Sequence, residues 1–113
     1  MDFDRYCRHC GSKVSEIQAY DELFGYKCEC TNIVLNRIDT ISEFTRNARI
    51  AQLKAMHTLM CEANDENIYM RWIYLMPDQP SEEDFADIAI NDEQYHDCFN
   101  LFIKLIAKNG NRY

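Results

Sequence analysis

The chain has 113 residues, 47% of them hydrophobic, with 12 Lys and Arg against 19 Asp and Glu, a formal net charge of −7 at pH 7. That length suits one compact unit, or a metal module joined to a small helical body. The acidity weighs against duplex nucleic acid as a partner, because a negative surface repels phosphates. The start, Met1-Asp2-Phe3-Asp4-Arg5-Tyr6, is acidic and lacks the apolar core of a signal peptide, and no apolar run reaches membrane-spanning length. The expected location is the cytoplasm, where six cysteines point to metal binding over disulfides.

In chain order, the first feature is Cys7-Arg8-His9-Cys10-Gly11, answered by Cys28-Glu29-Cys30. Two close pairs of thiols supply the four soft donors that one structural zinc ion requires. Gly11 suits a knuckle turn in which backbone N–H groups face the sulfurs. The second pair is C-x-C, not the commoner C-x2-C, and an alternative stays open: His57 and Cys61, four apart on one helix face, in place of Cys28 and Cys30. Arg5, Arg8, Lys13 and Lys27 lie beside the ligands and would offset the negative charge of a tetrathiolate site.

Short strands are expected over Val14 to Tyr20, Leu23 to Cys28 and Ile33 to Leu35, with a turn at Asp21-Glu22. Together with the two knuckles they describe a zinc-ribbon-like module over residues 1–37, too small to fold without its metal. A helical α+β body over residues 38–113 follows, and the two are expected to form one compact unit. Thr40-Ile41-Ser42-Glu43 reads as a capping box opening a long helix to about Glu62 or Asn64. Ile41, Phe44, Ala48, Ala51, Ala55 and Leu59 make one apolar stripe, and Ile50, Leu53, Met56 and Met60 a second, which predicts a central helix packed on both sides.

Ile68 to Leu75, rich in aromatic and β-branched residues, predicts a strand ended by Met76-Pro77. Ser81 caps a short helix carrying Phe85, Ile88 and Ala89. Asn91 caps a last helix with an apolar stripe of Tyr95, Cys98, Phe99, Phe102, Ile103 and Ile106. The expected fold class is α+β: the β module, then a mainly helical body with a long central helix, one aromatic-rich strand and two acidic C-terminal helices. Cys61 and Cys98 sit among apolar residues and read as core thiols.

No nucleophile–base pair, phosphate loop or open metal position is legible, so the chain is not expected to be an enzyme. Arg37, Arg46, Arg49 and Lys54 either form a basic strip for nucleic acid or are solvated or paired with Glu43 and Glu62. The acidic stretch is more distinctive. From Pro77 to Asp97 the chain holds Asp78, Glu82, Glu83, Asp84, Asp87, Asp92, Glu93 and Asp97, with no Lys or Arg. Carboxylates in the first turns of two helices account for Glu82, Glu83, Asp84, Asp92 and Glu93. The absence of compensating cations points instead to a partner-binding surface aimed at basic grooves.

Small size, acidity, a cysteine knuckle and Met70-Arg71-Trp72-Ile73-Tyr74-Leu75-Met76-Pro77-Asp78 leading into Ser81-Glu82-Glu83-Asp84-Phe85 resemble the small phage-encoded anti-CRISPR inhibitors, in particular a zinc-containing kind directed at type II systems. The resemblance implies a non-enzymatic monomer in the host bacterial cytoplasm. Such a protein would bind an RNA-guided type II CRISPR effector nuclease through protein–protein contacts and block target-DNA loading. The competing expectation is a zinc-ribbon phage protein that binds nucleic acid or modulates transcription.

Overall fold

The computed structural model describes residues 4–19 and 22–110. The elements are β1 (Arg5–Cys7), β2 (Ser15–Ala19), β3 (Glu22–Lys27), a 3-10 turn (Arg37–Asp39), β4 (Thr40–Ser42), and helices α1 (Glu43–Glu62), α2 (Glu66–Leu75), α3 (Glu82–Ala89) and α4 (Asp92–Gly110). The fold is α+β, with small antiparallel strands first, four helices after them, and a cysteine cluster among the strands. Two compact units divide between Asn47 and Ala48. That division lies beyond the expected boundary after Arg37, because β4 returns to pair with β1 and belongs to the first unit.

In the β unit, β2 and β3 form an antiparallel ladder from Ser15↔Lys27 to Ala19↔Glu22, irregular between Ile17 and Gln18. Tyr20 and Asp21, placed by the sequence at the end of the first strand and in its turn, lie outside the described residues, and Glu22 already belongs to β3. The expected third strand, Ile33 to Leu35, is reduced to one bridge between Leu35 and Tyr26, leaving Ile33 and Val34 exposed. Gly25 is required there. A Cβ on it would stand 2.3 Å from Val34 Cγ1 and 3.1 Å from the Leu35 carbonyl. The buried cluster is small: Cys7, Val14, Tyr26, Cys28 and Leu35.

Thr40 does not cap α1. It lies in β4 opposite Cys7, buried, with its Oγ1 accepting from Arg5 Nε at 2.6 Å and donating to the Arg37 carbonyl at 3.0 Å. Ser42 caps instead, its Oγ accepting from the Thr45 N–H at 3.2 Å. Strand pairing takes priority because it satisfies several backbone groups where a cap satisfies one or two.

The helical unit closes around Trp72, which is fully buried. Thirteen buried residues make its core, twelve from the four helices, among them Leu53, Met56 and Met60 of α1, and Met76 just after α2. The first expected stripe is not buried along α1: Ala51, Ala55 and Leu59 are exposed, as is Phe44 at its start. The helix therefore has one buried face, not two.

The expected strand Ile68 to Leu75 is helix α2. Asp65 caps it, accepting from the Ile68 N–H at 3.2 Å, and Ile68 and Trp72 are buried one turn apart. β-Branched and aromatic residues favour strands only weakly, and a capped segment that buries positions i and i+4 gains more as a helix. α3 and α4 start where Ser81 and Asn91 predict. Ser81 Oγ accepts from the Asp84 N–H, and Asn91 Oδ1 accepts from the Gln94 N–H at 3.1 Å. The buried stripe of α4 is Tyr95, Cys98, Leu101 and Leu105, with Phe102 packed beside it. Phe99, Ile103 and Ile106 face outward, about one-quarter turn from the expected position.

Candidate metal centre

The folding of the β unit brings the two cysteine pairs together. Cys7 ends β1 and is buried, while Cys10 lies in the turn beyond it. That turn is closed by the Gly11 N–H on the Cys7 carbonyl at 2.9 Å, with Gly11 at φ 80°, a left-handed conformation that favours glycine. Cys28 follows β3, buried, and Cys30 sits exposed in the turn after it. The four Sγ atoms lie within 4.8 Å of one another. Cys7 and Cys30 are 3.5 Å apart, and Cys10 and Cys28 3.3 Å apart. Four thiolates around a zinc-sized ion at ~2.3 Å require sulfur separations of roughly 3.8 Å, so the spacing fits a metal with small adjustments.

Electrostatics point the same way. Hydrogen bonding from Ser12 holds the Cys10 thiol down at about 6. Cys30 is pushed far above the ordinary thiol value by its sulfur neighbours Cys28, Cys10 and Cys7. Cys28 is raised too: the Cys30 backbone N–H favours its thiolate, but burial and the Cys10 and Cys7 thiols outweigh that. One sulfur ionises readily, and its neighbours resist joining it. A divalent cation removes that conflict. The His9 N–H donates to Cys7 Sγ at 3.3 Å, the kind of outer contact that steadies a metal-bound thiolate.

Among the described residues, these four cysteines are the only group of three or more His, Cys, Asp or Glu side chains whose ligand atoms converge so closely. His57 and Cys61 do meet, with Nε2 and Sγ 3.7 Å apart, but on α1 in the helical unit. The Trp72 indole N–H donates to His57 Nδ1 at 3.0 Å, which keeps a proton off that nitrogen, and burial lowers the His57 pKa. Cys98 is a fully buried thiol, pushed up to about 11 first by burial and then by Asp97. The sequence carried no sign of the His57–Trp72 contact, because it joins two helices.

The basic residues expected around the ligands have other partners as well. Lys13 pairs with Asp4 at 3.0 Å, and Arg5 and Arg8 each donate Nε–H to Thr40. Partial burial lowers the Arg5 pKa; Tyr26 opposes that shift, while Arg37 and Arg8 add to it by repulsion. Arg46 lies over the Tyr6 ring at 4.4 Å. Arg49 and Lys54 do not pair with Glu43 or Glu62. They reach Asp92 and Glu82.

Those two ion pairs change the picture of the acidic stretch. Its missing cations are partly supplied by α1. Asp78 accepts the Tyr69 O–H, which pushes the phenol up to about 12, and Asp84 belongs to the Ser81 capping box. Asp78, Glu82, Asp84 and Asp92 are thus engaged within the unit. Glu83, Asp87, Glu93 and Asp97 are exposed and make no ion pair or hydrogen bond among the described residues.

No family model, no curated protein and no solved structure matches this chain. Among the described residues, no helix is long and apolar enough to cross a membrane.

Proposed function

We propose that this chain is a non-enzymatic binding protein whose four cysteines hold one structural zinc ion and whose acidic α3–α4 segment docks on a basic surface of a partner protein. The zinc assignment rests on the donor set: four soft sulfurs and no oxygen or nitrogen ligand. Cys7, Cys10, Cys28 and Cys30 would fill a tetrahedral shell and leave no position for an activated water, so the metal's contribution is to staple the β unit.

The observation that carries the partner reading is the spacing of the four uncompensated carboxylates. Glu83 and Asp87 are four apart on α3, and Glu93 and Asp97 four apart on α4. Each pair shares a helix face and repels itself by a few tenths of a kcal/mol. Asp87 and Asp97 lie past the first turn, where the helix dipole no longer rewards a negative charge. A basic partner would relieve both pairs. The resemblance noted above suggests the partner class: an RNA-guided CRISPR effector nuclease of type II, whose nucleic-acid channels are strongly positive, with target-DNA loading as the step blocked.

The test is binding of the full chain to guide-loaded type II effectors across a salt series. Reversal of Glu83, Asp87, Glu93 and Asp97 to Lys should weaken the complex by at least about tenfold and flatten its salt dependence, each lost charge contact contributing on the order of 1 kcal/mol. Affinity unchanged by all four reversals sinks the acidic-face mechanism. Absence of any effector complex removes the partner class.

A further inference from the structure

Cys61 is exposed, not a core thiol as its sequence neighbours suggest, and it lines a cavity of about 590 Å³ in the helical unit. Side chains from three places in the chain converge there: His57 and Cys61 from α1, Tyr69 from α2, and Asp78 from the segment after α2. His57 is fixed by its neighbours. Its ring lies 6.3 Å from that of Trp72, at 25° to it, and 6.2 Å from that of Phe85, edge-on. The Trp72 indole N–H occupies Nδ1, so the neutral ring carries its proton on Nε2, the nitrogen 3.7 Å from Cys61 Sγ. The imidazole is therefore a donor to the sulfur, with no free lone pair to take the thiol proton or to hold a metal. Tyr69 also reaches the sulfur, but its O–H is committed to Asp78. A fixed N–H at this position stabilises the negative charge that thiol–disulfide exchange spreads over three sulfurs.

The rest of the lining says what the sulfur would react with. The volume falls in the range of small-ligand sites, roughly 300–1,000 Å³. Lys54 and Glu82 form an ion pair at the cavity, with 42% and 78% of their side-chain surface in solvent. So exposed a pair contributes little by itself and exchanges partners readily. A ligand bearing one carboxylate and one ammonium, as an amino acid does, matches the pair charge for charge.

We propose that Cys61 is a site of thiol–disulfide exchange with a small disulfide that carries an amino-acid zwitterion, the zwitterion re-pairing with Lys54 and Glu82. The Cys61 thiolate, its proton given to solvent, attacks one sulfur of the disulfide. An S–S bond forms to Cys61, the original S–S bond breaks, and the other half leaves as a thiolate. Cys61 is thereby oxidised and the leaving sulfur reduced. The described lining includes none of Glu83, Asp87, Glu93 and Asp97, so the site stands or falls independently of the acidic face.

Peptide-resolved mass spectrometry of the full chain tests it, following Cys61 apart from the other five thiols. The probes are cystine, glutathione disulfide and the neutral hydroxyethyl disulfide, and the urea-unfolded chain gives the reference rate for each. Folding should accelerate the reaction of Cys61 with cystine, glutathione disulfide or both by about tenfold, and the larger gain tells which source the cavity suits. Hydroxyethyl disulfide should gain less. Lys54→Gln and Glu82→Gln, both surface changes, should each lower the gain with the zwitterionic disulfides about threefold, the loss of one exposed charge contact, and leave the neutral one unchanged. His57→Phe should remove most of the gain with all three, and His57→Gln, which keeps an N–H donor, should restore part of it. No acceleration over the unfolded chain with either zwitterionic disulfide overturns the proposal. So does an equal gain for the neutral disulfide, a gain that survives both charge variants, or one untouched by His57→Phe.

Discussion

The β unit and the helical unit are stabilised by different physics. The β unit buries five residues in its cluster, and two of them, Cys7 and Cys28, are metal-ligand candidates. Its strands are three to six residues long. The helical unit buries thirteen residues around Trp72, and its helices are capped by Asp65, Ser81 and Asn91. On the proposed reading, one unit takes from an ion what the other obtains from apolar area. Small domains that cannot bury enough surface commonly add such a staple.

The largest expected effect follows from that contrast. A chelator, or Cys7→Ser with Cys28→Ser, should unfold the β unit, since metal binding contributes on the order of 10 kcal/mol to folds of this size. Trp72 fluorescence, which reports on the helical unit, should hardly change while the amide signals of β2 and β3 collapse. Joint loss of both signals would show that the units do not differ in this way. Metal analysis should give one zinc per chain in the parent, and a full equivalent retained by the double variant would point to other ligands.

Next in size is Trp72→Ala. It should cost about 3–5 kcal/mol, because it empties the centre of the helical core and leaves His57 Nδ1 without its donor. Urea denaturation reads the loss, and zinc content should stay at one. A loss below about 1 kcal/mol would mean that the helical core does not centre on Trp72.

The smallest effect is a pH dependence confined to the helical unit. Burial lowers the His57 pKa in the folded state below its unfolded value of about 6.5. Between the two values the unfolded chain binds the extra proton. The stabilising contribution is therefore fully present above about pH 6.5 and is lost as pH falls toward the lower folded value. Urea midpoints followed by Trp72 fluorescence should drop over that interval in the parent, and His57→Gln should flatten the drop. Parallel pH profiles would remove His57 from the account.

Much of this architecture was legible. Cys7, Cys10, Cys28 and Cys30 were readable because ligands two or three apart on one turn encode their geometry locally. The same holds for Ser81 and Asn91, since a cap and the N–H it accepts from lie within one helical turn. The segment from Ile68 to Leu75 was misread because its residue types favour a strand while its buried positions obey a helical period. On α4, nine apolar positions compete for one face, and only packing selected Leu101 and Leu105 over Phe99, Ile103 and Ile106.

The sequence alone therefore determined the local elements: the cysteine knuckles, the helix caps, the α+β class and the clustering of acid from Asp78 to Asp97. Tertiary structure decided the partners. It set Thr40 against Cys7 instead of at a helix cap, and gathered three arginines from residues 5, 8 and 37 around one cavity. It also gave Glu82 and Asp92 their cations from α1, leaving Glu83, Asp87, Glu93 and Asp97 uncompensated. The reason is range. A cap or a knuckle closes within a few residues, whereas an ion pair between α1 and α4 spans more than forty, and neither sequence period nor propensity carries that distance.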